Sequence, residues 1–195
     1  MNVQEVLNWL NDFATLITDN KDYLSDLDTS IGDGDHGNNM LRGVIAMQQQ
    51  LTEKQPTTIG DIFKVTAMAL MSNVGGASGP LYGSAFMAMS KKANESEVLA
   101  DLILAGANGI QARGKAELNE KTMIDIWFAV ANALQVKQLT QRVIDDAIAA
   151  TKNLQATKGR ASYLGERSIG HLDPGTVSSG YLFTAMMNNL QGELA

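Results

Sequence analysis

Apolar residues recur at helical spacing along almost the whole chain, and this constrains the fold more than any other feature. In the first segment Val6, Leu7, Leu10, Phe13, Ala14 and Ile17 fall at i, i+1, i+4, i+7, i+8 and i+11, which places them on one helix face. The same period predicts about eight helices, over roughly 3–26, 37–51, 59–73, 80–93, 96–112, 122–136, 140–156 and 176–191. No run of β-branched residues alternates with polar ones, and the three prolines, Pro56, Pro80 and Pro174, fall between predicted helices or at their starts. The predicted class is all-α. A chain of 195 residues is long enough for one substantial core, so a single domain spanning 1–195 is expected.

Composition removes several function classes. The net charge of −6 argues against a nucleic-acid-binding surface, which needs clustered Lys and Arg. The absence of Cys leaves neither a disulfide framework nor a thiolate metal site. No apolar run approaches the ~18 residues that span a bilayer, and the N-terminus lacks the basic start and apolar centre of a signal peptide. No membrane insertion and a cytoplasmic location are therefore expected. On an acidic chain, a phosphate ligand needs local help from a metal ion, from backbone N–H groups or from a few placed arginines.

Glycine concentrates in four linkers, 30–37, 74–80, 112–118 and 158–175. The first, in LDTSIGDGDHGNN, brings Asp28, Asp33 and Asp35 within eight residues. A lone Asp here is most simply a helix cap or turn residue. Three such charges beside Gly32, Gly34 and Gly37 repel one another unless neutralised, and a hard divalent cation such as Mg²⁺ takes carboxylate oxygens with phosphate and water filling its other positions. His36 reads equally as a metal ligand, a phosphate donor, a phosphoryl carrier or a plain hydrogen-bonded loop histidine.

Three apparent motifs fail on context. Residues 32–37 spell G-x-G-x-x-G but follow no strand, and two Asp inside a phosphate cradle would repel a pyrophosphate lacking a cation. Residues 109–115 spell G-x-x-x-x-G-K, yet Ala116 replaces the required Ser or Thr and the segment follows a helix. An EF-hand starting at Asp33 would put Gly37 at its fifth position and Val44 where a bidentate Glu belongs.

Two further segments carry chemistry more weakly. Gly75 to Pro80 runs straight into a predicted helix and exposes backbone N–H groups at the positive end of its dipole, although close packing through small residues explains it as well. HLDPGT reads as a helix start with Asp173 as N-cap and Pro174 in the first position. Arg160 and Arg167, just upstream, are within chain reach of a phosphate held there, but solvated arginines are the commoner outcome.

Together LDTSIGDGDHGNNM, VGGASGPLYG, ARGKAELNEKTMID and LDPGT resemble, in order and across nearly the whole chain, the ligand-binding segments of the ADP-binding L subunits of dihydroxyacetone kinases. The resemblance implies an antiparallel eight-helix barrel whose loops at one end hold ADP or ATP through two Mg²⁺ ions. By motif position it implies Asp28, Asp33 and Asp35 as metal ligands. His36, Gly37, Asn38, Asn39, Ala77, Ser78, Gly114, Met123, Arg160, Asp173, Pro174 and Gly175 then become nucleotide contacts, with no catalytic nucleophile. It further implies that a phosphohistidine-carrying phosphotransferase subunit converts bound ADP to ATP. The γ-phosphoryl then passes to dihydroxyacetone on a separate K subunit, giving dihydroxyacetone phosphate. Nothing in the chain resembles that K subunit, and a homodimer is compatible with the resemblance. Four other readings stay open: an ATP-dependent kinase component with exchanging nucleotide, the related helical domain of a fatty-acid kinase, a non-catalytic nucleotide sensor, and a phosphocarrier using His36.

Overall fold

Asn2 opens the first helix with a capping box, its side chain accepting the Glu5 N–H at 3.0 Å while the Glu5 carboxylate accepts the Asn2 N–H at 2.7 Å. The computed structural model describes residues 1–194, and among them are nine α-helices and no strand. They are α1 (Val3–Asp19), α2 (Lys21–Ile31), α3 (His36–Lys54), α4 (Ile59–Asn73), α5 (Ser78–Ala93), α6 (Leu99–Gly114), α7 (Ile124–Gln135), α8 (Gln141–Ala150) and α9 (Pro174–Asn189). The all-α expectation holds.

The helix expected over 3–26 is two helices. Asn20 breaks it at φ −114° and ψ 14°, where both its backbone N–H and its side-chain amide donate to the Leu16 carbonyl. A side-chain amide competing for a helical carbonyl is the usual way Asn ends a helix. The second helix then runs to Ile31, so Asp28 stands on the last turn of α2 instead of in the Gly-rich turn. The segment 158–175, expected as loop, contains a 3-10 stretch, Arg160–Ser168, interrupted at Gly165.

Neighbouring helices follow chain order. α3 packs on α4, α4 on α5, α5 on α6, α6 on α7, α7 on α8 and α8 on α9, while α9 and α3 both pack on α1, so the circuit closes. The expected barrel requires such a circuit. Inside it one continuous apolar cluster takes residues from all nine helices, with Trp9, Phe13, Phe63, Tyr82, Phe86, Trp127 and Phe183 fully buried. Each large side chain removed from water contributes about 1.5–3 kcal/mol, which sets the stability of the ring. Trp9 sits edge-on to Phe63 and donates its indole N–H to the Leu182 carbonyl at 2.8 Å, tying α1 to both α4 and α9. No helix among the described residues is long and apolar enough to cross a membrane.

The connections α2–α3, α4–α5, α6–α7 and α8–α9 are every second one. In an up-and-down circuit such connections share one end. The four Gly-rich linkers of the sequence are these four connections.

Candidate functional site

All four connections line one cavity of about 870 Å³, a size suited to a cofactor or nucleotide. Its walls take Asp28, Asp33, Asp35, His36 and Asn39 from the α2–α3 side, Ala77 and Ser78 from the start of α5, Lys121 from the α6–α7 connection, Arg160 from the 3-10 stretch, and Asp173, Pro174 and Gly175 from the start of α9. An adjoining apolar cleft of about 360 Å³ shares Ala77 with it and is lined by Pro80, Leu81, Ile110, Gly114, Ala116 and Met123 among others. A polar cavity with an apolar slot matches a ligand that is charged at one end and flat and apolar at the other.

Of the fifteen residues singled out from the sequence, Gly37 and Asn38 alone line neither space. Gly37 has a packing reason to be glycine, since a Cβ there would overlap the Lys21 backbone carbonyl. That missing side chain lets the first turn of α3 lie against the start of α2, which sets the aspartate loop in place. Gly76 is glycine for its backbone, with φ at +65° in the turn that leads into α5.

Oxygens of Asp28, Asp33 and Asp35 all lie within 4.8 Å of one another. One oxygen of Asp28 is anchored by the Asp35 and His36 N–H groups, at 3.0 and 3.2 Å. Arg160 pairs with Asp33 at 2.9 Å, both groups being open to solvent. An exposed pair of this kind is worth at most about 1 kcal/mol, so it leaves the cluster short of positive charge. Three hard oxygen donors at this separation, with room beside them for water and phosphate, fit a divalent cation of the Mg²⁺ class.

His36 is buried beneath the cluster. Its Nε2 lies 2.9 Å from the Ser178 hydroxyl and its Nδ1 3.4 Å from that of Ser78. Burial pulls its pKa down to about 4, against a smaller upward pull from Asp35, so the ring is neutral at neutral pH. A buried neutral imidazole with hydroxyls at both nitrogens offers no open nitrogen to a phosphoryl group, which counts against the phosphocarrier reading.

A buried polar chain continues from His36 into the core. Ser178 bonds to the Tyr82 hydroxyl at 2.9 Å, Tyr82 to Ser179 at 2.9 Å, and the Trp127 indole N–H donates to Ser179 at 3.1 Å. Burial pushes the Tyr82 pKa up, so its hydroxyl keeps its proton and can donate. This chain satisfies the hydroxyls that α9 buries and locks the imidazole from below. Sequence reasoning missed it, although two adjacent serines in an otherwise apolar helical run were a signal.

Asp173 caps α9 by accepting the Thr176 N–H at 2.7 Å and the Thr176 hydroxyl at 2.8 Å. Burial pushes its pKa from 3.8 up to about 6, and the bonds from Thr176 only partly counter this. A carboxyl whose pKa is raised by folding favours the folded state below its unfolded pKa, and that contribution is lost as pH rises through the folded value. Asp173→Asn keeps the cap but not the titration. Relative to that variant, the wild-type protein should gain about 1 kcal/mol of unfolding free energy between pH 7 and pH 5. Urea denaturation at both pH values in EDTA measures this, and a difference that does not change with pH contradicts it.

Fold and cavity together define an all-helical domain built to present an acidic, nucleotide-sized cavity at one end. Residues 30–188 match the DAK2 domain, and the chain belongs to that family. It is 55% identical over 185 residues to "PEP-dependent dihydroxyacetone kinase 1, ADP-binding subunit DhaL" of Listeria innocua, covering 93% of each chain. It is 52% identical over 187 residues to "PTS-dependent dihydroxyacetone kinase, ADP-binding subunit DhaL" of Lactococcus lactis, covering 96% of this chain and 97% of that one. Among solved structures, the dihydroxyacetone kinase of C. freundii in complex with AMP-PNP and Mg²⁺ superposes with a TM-score of 0.75 at 21% identity. That alignment covers 92% of this chain and 33% of the C. freundii chain, so this chain spans about a third of that protein.

Proposed function

We propose that the chain is the ADP-binding subunit of a phosphoenolpyruvate-dependent dihydroxyacetone kinase, one L-type domain over 1–195 that holds ADP or ATP through two Mg²⁺ ions. The observation that carries this is the gathering of Asp28, Asp33 and Asp35 in one cavity that the N-terminus of α5 also lines. The names of its relatives support the same reading. The magnesium in the C. freundii complex, on a likeness that establishes fold alone, is consistent with it.

Phosphoryl transfer asks a protein mainly for positioning and charge stabilisation. When bound, Mg²⁺ would neutralise the carboxylates and phosphate oxygens and so let them approach. Asp28, with one oxygen fixed by two N–H groups, holds the loop, and it would take the cation together with Asp33 and Asp35. Backbone N–H groups at Ala77 and Ser78, at the positive end of α5, would meet the phosphates. Arg160, paired with Asp33, would add positive charge beside the cluster, and neutral His36, bonded to Ser178 and Ser78, would support the site from beneath without adding charge. Asn39 would support the phosphate side from α3, Gly37 acts through packing, and Asn38, outside both spaces, would reach the nucleotide only from the rim. Gly114 and Met123 would line the slot for the base, and Asp173, Pro174 and Gly175, on the wall of the adjoining polar cavity, would contact the nucleotide beside it. No side chain of this chain needs to act as a nucleophile.

The acceptor would be dihydroxyacetone on a separate K subunit, and a phosphohistidine-carrying phosphotransferase subunit would regenerate ATP in place. A cytoplasmic setting fits both partners, and a homodimer is compatible with them. The experiment is a thermal melt. Ligand at about 100 times its Kd adds ~2.7 kcal/mol to a fold that binds it only when folded. Melting temperature should therefore rise by several degrees with ADP and Mg²⁺ together and hardly at all with either alone. A melt unchanged by the pair contradicts the proposal.

A further inference from the structure

Lys121 is the one lysine or arginine that the fold buries among the described residues, at 1% exposure. It stands in the α6–α7 connection with φ at +60°, a left-handed backbone that lysine seldom adopts. Among the described residues no carboxylate pairs with it. Its ammonium donates instead to four backbone carbonyls, those of Thr151 at 2.8 Å, Leu154 at 3.1 Å, Ser168 at 2.8 Å and His171 at 2.6 Å. Four acceptors for three hydrogens make this a cage around a cation.

The four carbonyls are not a random set. Thr151 and Leu154 precede the excursion of the chain over the cavity, and Ser168 and His171 follow it. The Ser168 hydroxyl closes the same base by accepting the Ala156 N–H at 2.9 Å and donating to the Gly165 carbonyl at 2.6 Å. Between these points the strap carries Lys158, Gly159, Arg160 and Tyr163 onto the cavity wall. It has little core of its own, and Tyr163 is 87% exposed. With few apolar contacts to hold it, the strap depends on closure at its base, and local opening is its expected failure.

We propose that Lys121 is a positioning residue for the nucleotide site: its ammonium clasps the base of the 154–168 strap and so sets Arg160 over the aspartate cluster. Removing the charge leaves four carbonyls short of a donor and frees the strap, while the helical circuit keeps its packing. The ligand half of this inference rests on the nucleotide reading above, and the strap half does not.

The test compares Lys121→Met with wild-type protein in the full chain. Trypsin should cut after Lys158, Arg160 and Arg167 about tenfold faster or more in the variant, with cuts after Arg42, Lys64 and Arg113 in the helices unchanged. Calorimetric titration with ADP and Mg²⁺ should show affinity about tenfold lower, and that loss should vanish when Arg160→Gln is already present. Lys121→Arg should restore both, because a guanidinium carries five N–H donors for the four carbonyls. Unchanged strap cleavage overturns the clasp, and an equal affinity loss on both Arg160 backgrounds overturns the route through Arg160. Should Lys121→Met fail to fold, Ser168→Ala weakens the same closure more mildly and must accelerate the same three cuts, or the clasp is wrong. If wild-type protein binds no ADP, the nucleotide reading fails while the cleavage comparison still decides the strap.

Discussion

Replacing Asp33 by Asn lowers the affinity for ADP in the presence of Mg²⁺ by about 100-fold or more, and EDTA does the same to the unaltered protein. Residues that only orient a metal ligand typically contribute 10–100-fold, so loss of a direct ligand should reach at least the top of that range. Two effects compete in the variant. The neutral amide would no longer hold Arg160, which frees a cation for the phosphates, but the exposed Arg160–Asp33 pair is worth at most about 1 kcal/mol. The lost carboxylate therefore dominates. Calorimetric titration with and without EDTA measures it, and unchanged affinity in both arms contradicts a metal-mediated site.

The second large effect is all or none. Given ATP, Mg²⁺ and dihydroxyacetone, the isolated chain forms no dihydroxyacetone phosphate, because its cavity accounts for nucleotide and cation and supplies no nucleophile to hold a sugar. With a K subunit and one preloaded nucleotide per chain, a single turnover follows, and continued turnover requires the phosphohistidine donor. A nucleotide enclosed by four connections and held through metal ions should leave slowly, so rephosphorylation in place outruns exchange. Labelled ADP preloaded on the chain should survive many donor-driven turnovers in excess unlabelled ADP. Rapid loss of label, with steady activity from free ATP and no donor, favours the ATP-dependent alternative.

Much of this fold is readable from periodicity because each helix buries one face. The break at Asn20 is not readable that way, since Ile17 and Leu24 are both buried and keep the apolar face continuous across it. Only the competition of an amide for the Leu16 carbonyl separates the two helices, and that is a local polar event. The aspartate cluster was legible for the opposite reason, because three like charges within eight residues of a Gly-rich turn call for a neutralising partner. Lys121 was not legible: its four carbonyls lie 30 to 50 residues further along the chain, and a loop lysine is ordinarily solvated. Ser178 and Tyr82 are likewise joined across 96 residues, so their link to His36 appears only once the circuit closes. Gly37 sits within the aspartate motif, yet its role in the fold is to let two helices meet.

Asp28, Asp33 and Asp35 would hold a cation that also meets the nucleotide phosphates. Crystals grown with ADP and Mn²⁺ in place of Mg²⁺, measured at the manganese absorption edge, test this directly by locating the metal through its anomalous scattering. Anomalous peaks are predicted within coordination distance of these carboxylates and of the ADP phosphates, with the adenine in the slot beside Met123 and Gly114. ADP bound with no manganese at the aspartates, or manganese there with the nucleotide elsewhere, would contradict it.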